Sequence, residues 1–219
     1  MSERRIGVYG GTFDPIHRGH IEVSRAVTRQ FALDELLIVP AHRPPHKTLR
    51  VIADAYHRYA MAAIATLDDE RFKVSTIELE APERPYTFET LERLREQFGP
   101  QASLFFVMGA DSFEELHLWR EPERILDSAH IIVITRPRHA LGLTKLPARI
   151  AAGLIDLRGG RLEAITPERA GGVYLTDAVN MDVSSTEIRR KVRDGEPIDD
   201  DVPPRVADYI SKYALYRQS

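Results

Sequence analysis

Ile6-Gly7-Val8-Tyr9-Gly10-Gly11-Thr12-Phe13-Asp14-Pro15-Ile16-His17-Arg18-Gly19-His20 is the stretch whose reading decides the fold. Ile6 to Tyr9 is a short apolar run of strand type. Gly10 and Gly11 let the backbone turn sharply and approach a ligand with no Cβ in the way. Asp14 is suited to cap a helix and Pro15 to open its first turn, which predicts a helix over Ile16 to Phe31. Ile21, Ser24, Val27 and Phe31 form one stripe of that helix. A helix N-terminus offers free N–H groups and a positive dipole end, a ready site for phosphate. His17 and His20, three residues apart, share a face of its first turns. Such imidazoles can donate hydrogen bonds to phosphate oxygens whose charge grows during transfer. A bare Gly-Gly turn with two incidental histidines would need no ligand. Here turn, cap, dipole and both imidazoles converge on one point, so a phosphate site is the stronger reading. A metal site on His17 and His20 is the weaker rival: no third ligand stands at a telling spacing, although His42 and His46 are four apart.

The same alternation continues along the chain. Leu36 to Val39, Leu104 to Met108 and His130 to Thr135 are short, apolar and often β-branched, which predicts strands buried on both faces. Phe72 to Leu79 alternates more and is expected nearer an edge. Helical spacing marks Ala53 to Leu67 and Thr87 to Phe98. In the second of these Leu91, Leu94 and Phe98 share a face, and Gly99-Pro100 stops the helix. Strands alternating with helices imply βαβ units, a parallel sheet and right-handed crossovers, the α/β class. Ligands of such sheets sit beyond the carboxyl ends of the strands. From Arg138 to Gly172 the pattern weakens, with one helix expected around Pro147 to Leu157. The tail, Ser185 to Tyr216, reads as two helical pieces separated by Gly195-Glu196-Pro197 and Asp199-Asp200-Asp201.

Composition narrows the classes. The 219 residues are 43% hydrophobic and 29% charged, enough for a sizeable core. With no cysteine, disulfides, thiolate metal sites and a catalytic thiol are excluded. The formal charge is −3 with both signs interspersed, so no electrostatic footprint for a nucleic acid is expected. No run approaches the ~20 apolar residues that cross a bilayer, and MSERRIGVYGG lacks a signal-peptide core. The expectation is a cytoplasmic protein with no membrane and no nucleic-acid partner.

A second anion site is written near the C-terminus. In Val183-Ser184-Ser185-Thr186-Glu187-Ile188-Arg189, Ser184 and Glu187 have capping-box spacing, so a helix is expected to start there. Ser185 and Thr186 place hydroxyls beside its free N–H groups, and Arg189 adds a guanidinium about one turn in. Alone this would read as a well-capped surface helix. Beside the first motif, a second phosphate site is the stronger reading.

Together these motifs resemble the nucleotidyltransferase superfamily. Gly11-Thr12-Phe13-Asp14-Pro15-Ile16-His17-Arg18-Gly19-His20 is similar to its (H/T)xGH signature, distantly related to the HIGH motif of class I aminoacyl-tRNA synthetases. The second stretch resembles its ISSTxIR motif, with Val183 in place of the leading isoleucine. Further segments resemble the bacterial nicotinate-mononucleotide adenylyltransferase family within it. These are Pro44-Pro45-His46-Lys47 (its PPHK loop), Pro85-Tyr86-Thr87, Met108-Gly109-Ala110-Asp111-Ser112 with Leu118-Trp119, and the ARP-like turn Thr135-Arg136-Pro137. Without the resemblance, Trp119 would read as a helix-end core residue.

The resemblance implies a Rossmann-like doubly wound parallel sheet, the nucleotidyltransferase fold. Residues 1–183 are expected to form that core and 184–219 a small C-terminal helical portion packed on the same domain. It implies transfer of the adenylyl group of ATP to nicotinate mononucleotide, giving nicotinate adenine dinucleotide and pyrophosphate in NAD biosynthesis. By the same resemblance, His17 and His20 are expected to be catalytic. Gly10, Gly11, Thr12, Phe13, Gly109, Ser184, Ser185, Thr186 and Arg189 would join them in holding ATP. His46, Lys47, Thr87, Asp111, Trp119 and Arg136 would bind the mononucleotide. Mg²⁺ would enter mainly through the ATP phosphates. The alternatives are a nicotinamide mononucleotide or phosphopantetheine adenylyltransferase, a cytidylyltransferase, or a non-catalytic nucleotide-binding module. The sequence leaves open the choice of acid or amide, and a homo-oligomer.

Overall fold

The first strand, β1 (Arg4–Gly11), lies in the interior of a seven-stranded sheet. On one side it pairs with β2 (Glu35–Pro40), and beyond that stands the edge strand β3 (Phe72–Val74). On the other side follow β4 (Ala102–Gly109), β5 (Ala129–Ile134), β7 (Val173–Thr176) and the far edge β6 (Leu154–Asp156). Every pairing is parallel. The computed structural model describes all residues except 1–3, 43–51, 84, 136–140, 143, 161–170, 178, 180–182 and 218–219.

A parallel sheet must be covered on both faces, and alternate residues of each strand serve the two covers. Leu104, Phe106 and Met108 of β4 join Ile6 and Val8 on one face, covered by α3 (Thr87–Phe98) through Leu91 and Leu94. Phe105 and Val107 join Leu36 and Ile38 on the other face. There α1 (Arg18–Gln30) packs through Ile21, Val27 and Phe31, and α2 (Ala55–Ala65) through Met61 and Ala62. This face also receives Ile188 of α7 (Ser185–Asp194) and Val206 and Ile210 of α8 (Pro204–Lys212). Three short helices, α4 (Ala110–Glu114), α5 (Ile125–Ser128) and α6 (Ala148–Ala152), complete the connections. The result is the doubly wound parallel sheet that the sequence implies. Among the described residues no helix is long and apolar enough to cross a membrane.

Three local expectations are corrected. The strand expected over Phe72 to Leu79 stops at Val74, which stands opposite Ile38 of β2. The last ladder bond there runs from the Ser75 N–H to the Ile38 carbonyl, and a turn at Thr76 to Glu80 replaces further pairing. The helix expected around Pro147 to Leu157 ends at Ala152, and Leu154–Asp156 joins the sheet as β6. The strand β7 was not expected. Its four buried residues, Val173 to Thr176, follow a weakly patterned stretch and are too few to carry a period of their own.

Chain order reverses between β1 and β4, since the path runs outward through β2 and β3 and returns to β4 on β1's other side. At such a switch point the loops diverge and leave a crevice at the strands' carboxyl ends. The turn expected at Gly10 and Gly11 falls later: β1 continues through both, paired with Val39 and Pro40, and the chain leaves it at Thr12 and the left-handed Phe13, while β4 ends at Gly109.

Ile210 is 2% exposed and lies in the same apolar cluster as residues of α1, α2 and the sheet. Ile210→Ala is expected to cost about 2 to 5 kcal/mol and to leave one cooperative transition in urea. Two transitions would show that the C-terminal helices fold apart from the sheet.

Candidate active site

The turn after β1 is shaped by Phe13. This residue takes φ 49°, a left-handed conformation that bulky side chains rarely adopt. Its ring is 2% exposed and stands edge-on to Tyr9 at 5.4 Å and to His20 at 5.0 Å. A Cβ on Gly11 would lie 2.9 Å from that ring, so the packing of Phe13 requires glycine there. Asp14 does not cap α1 as expected. Its side chain is 1% exposed and turned inward, where Oδ1 accepts from the Ala53 N–H at 3.1 Å and the Tyr216 hydroxyl at 2.7 Å. The N-cap falls to His17, whose extended backbone places its N–H on Nδ1 of His20 at 3.2 Å. The two imidazole rings stack, with centroids 3.7 Å apart.

That bond fixes the chemistry of His20. Burial, and secondarily the neighbouring His17, hold its pKa well below the ordinary value, so the ring is neutral at pH 7. Since Nδ1 accepts, the ring proton resides on Nε2, which is left as an N–H donor. Burial also brings His17 down to about 4, against a smaller opposing effect of Asp201. Its Nδ1 is buried with no hydrogen-bond partner among the described residues.

The second motif meets the first directly. Ser184 caps α7, its side chain accepting from the Glu187 N–H at 3.2 Å. The return half of the expected capping box is replaced, because the Glu187 carboxylate instead takes Nε of Arg190 at 3.0 Å. The Ser185 hydroxyl donates to the Pro15 carbonyl at 3.0 Å. Arg189 donates through Nη1 to the Asp14 carbonyl and through Nη2 to the Thr186 hydroxyl, with Nη1 3.6 Å from the Asp14 carboxylate. Two helix N-termini, those of α1 and α7, are thereby held side by side.

Across the crevice, Tyr9 pairs with Val107, so Gly11 and Gly109 leave the sheet from neighbouring strands. Gly109 has φ −79°, and a Cβ added there would meet nothing within 4 Å. Neither backbone nor packing demands glycine at this exposed position. Asp111 is exposed in the first turn of α4. Trp119 is half-buried behind the 3-10 turn Leu116–Leu118, edge-on to Phe106 at 6.4 Å. Thr87 is the first residue of α3, after the N-cap Tyr86. His46, Lys47 and Arg136 lie outside the described residues.

Two residues beneath the turn were missed. Arg58 of α2 is 1% exposed and, among the described residues, donates only to backbone carbonyls, including that of Thr12 at 2.8 Å. Its signal was present: Arg58, Met61 and Ala62 share a helix face, so a charge stands on an otherwise apolar stripe. Tyr216 carries no comparable signal, since only the folded chain brings it to Asp14.

The cytidylyltransferase-like family model matches residues 8–191. The chain is 35% identical over 216 residues to a Thermoanaerobacter sp. (strain X514) protein named "Probable nicotinate-nucleotide adenylyltransferase", covering 99% of this chain and 96% of that one. It is 38% identical over 217 residues to a protein of the same name from Roseiflexus sp. (strain RS-1), with 99% and 100% covered. Its fold resembles that of Plasmodium falciparum nicotinic acid mononucleotide adenylyltransferase complexed with NaAD, with a TM-score of 0.69, 23% identity and 97% of each chain covered.

The depressed pKa of His17 has a consequence for stability. Between about 4, its folded value, and the ordinary 6.5, the unfolded chain binds more protons than the folded one. Stability therefore falls as the medium is acidified through that window and is fully present above it. Acidifying from pH 7 to pH 4.5 is expected to remove about 2 to 3 kcal/mol through His17. Urea unfolding of the parent and of His17→Asn at both pH values checks this. Equal losses in the two proteins would clear His17 as the source.

Proposed function

The chain belongs to the cytidylyltransferase-like family, in its nicotinate-nucleotide adenylyltransferase branch, and from that membership we propose that it transfers the adenylyl group of ATP to nicotinate mononucleotide. The products are nicotinate adenine dinucleotide and pyrophosphate, in NAD biosynthesis. The observation that carries this reading is the meeting of the two helix N-termini, through Ser185 on the Pro15 carbonyl and Arg189 on the Asp14 carbonyl. Two adjacent positive helix ends suit a polyphosphate better than a single anion.

The attacking group is the mononucleotide's own phosphate, ionised at neutral pH. It needs neither a protein nucleophile nor a general base, so the catalytic work is positioning and charge stabilisation. Gly10, Gly11, Thr12 and Phe13 support the nucleotide through backbone, and Gly109 admits it from the facing strand. His20 donates a hydrogen bond from its Nε2–H to an α-phosphate oxygen as charge builds on the pentavalent phosphorus, with His17 beside it. Ser184, Ser185, Thr186 and Arg189 hold the β and γ phosphates, which leave as pyrophosphate. Lys47 and His46 take the acceptor's phosphate; Thr87, Asp111 and Trp119 take its ring and ribose; Arg136 adds positive potential.

Mg²⁺ belongs with the ATP. The described residues contain no cluster of three or more His, Asp or Glu that would cage a metal. Its ligands would then be phosphate oxygens and water, and it supplies charge neutralisation when bound. The absence of a strongly single-signed charge balance, −3 overall, supports a small-molecule partner over a nucleic acid.

The direct test is pyrophosphate release from ATP with nicotinate mononucleotide, nicotinamide mononucleotide and phosphopantetheine offered separately. Fastest turnover with the first is expected, and preference for another would reassign the acceptor. His20→Ala is expected to lower kcat about 100- to 1,000-fold with little change in either KM, since its contact strengthens only in the transition state. Normal turnover in that variant would remove His20 from the mechanism.

A further inference from the structure

The guanidinium of Arg58 is buried and spans several backbone carbonyls. Nε donates to the Ala53 carbonyl at 3.1 Å and Nη1 to the Thr12 carbonyl at 2.8 Å. Nη2 donates to the carbonyls of Ala41 at 2.7 Å and His42 at 3.2 Å. A buried cation is costly unless its donors are met, and here the partners are backbone oxygens from three segments. Burial lowers the pKa of the guanidinium, while Asp14 foremost acts in the opposite direction. The group remains charged, as arginine does in proteins.

What the three segments have in common is the mouth of the site. Thr12 belongs to the turn that leaves β1. Ala41 and His42 belong to the segment that leaves β2, the neighbouring strand. The two run side by side, the Ala41 N–H donating to the Gly11 carbonyl at 2.9 Å. Ala53 leads into α2, and its own N–H goes to the Asp14 carboxylate. A planar fork with donors in several directions can bridge such divergent carbonyls, and a single ammonium cannot. Any shift of the turn relative to the β2 segment would break at least one of these bonds.

We propose that Arg58 is a positioning residue for the transfer reaction, acting through backbone rather than through substrate. It sets the distance between the turn that faces the nucleotide and the segment leaving β2. Small errors in that distance act on the alignment of the reacting phosphates, where a displacement of about 1 Å is worth roughly 100-fold in rate. This inference rests on the adenylyl-transfer reading of the site.

The test is steady-state kinetics of the full chain and its Arg58→Lys and Arg58→Gln variants, with kcat counted per folded molecule from circular dichroism. Lysine keeps the charge and glutamine keeps two N–H donors, but neither reproduces the fork. In both, kcat is expected to fall about 100-fold while KM for ATP and for nicotinate mononucleotide shift far less. A merely structural role would lower melting temperature and yield and leave kcat per folded molecule unchanged, and that result would overturn the proposal. A parent protein that releases no pyrophosphate would instead overturn the reading on which the proposal rests.

Discussion

One buried residue, Asp14, ties together everything at the mouth of the sheet. Its carboxylate takes the Ala53 N–H ahead of α2 and the hydroxyl of Tyr216 near the C-terminus, and its carbonyl takes Arg189 of α7. Burial, and next the charge of Asp14, raise the pKa of Tyr216, so that this hydroxyl stays protonated and donates. A carboxylate 1% exposed is tolerable only with such company. Segments distant in the chain are thereby fixed against the turn after β1. The left-handed Phe13, packed among Tyr9 and His20, sits in the same knot. Backbone conformations of this cost persist where the surroundings over-determine them.

The chemistry follows from that rigidity. Phosphate attack on a phosphorus already attached to a good leaving group asks little covalent help of a protein. It asks for fixed donors in the right place, with no reorganisation at the moment of transfer. The His17 N–H occupies Nδ1 of His20 and so determines which nitrogen keeps the proton. Burial keeps both rings neutral and makes them hydrogen-bond donors rather than point charges. Positive potential comes from the helix ends and from the Arg189 guanidinium.

Much of this was legible in the sequence, for a physical reason. Strands buried on both faces write themselves as uninterrupted apolar runs, so β1, β2, β4 and β5 were plain, as was α3 with its Gly99 stop. Edge and late strands such as β3, β6 and β7 are three or four residues long and leave no period to read. The Ser184 cap of α7 was legible because its needs are local, whereas Gly10 and Gly11 stay paired in β1 and the turn falls at Thr12 and Phe13. Asp14 was misread for the complementary reason. Its spacing before Pro15 fits a cap, but tertiary partners at Ala53, Tyr216 and Arg189 claim it, and none of them is near in sequence. Arg58 was overlooked although a lone charge on α2's apolar stripe is a readable anomaly. The phosphate chemistry of His17, His20 and Arg189 could be read from the residue types and their spacing, whereas the role given to Trp119 came from resemblance alone.

The central claim is that this site transfers an adenylyl group by holding two phosphates in line, with no covalent step on the protein. Stereochemistry at the α-phosphorus tests it most directly, using ATP made chiral there by sulfur substitution and following the configuration into the dinucleotide. A single in-line displacement predicts inversion. Retention would contradict the account, since it requires two displacements and hence an adenylylated protein side chain, with the histidines of the first motif the nearest candidates.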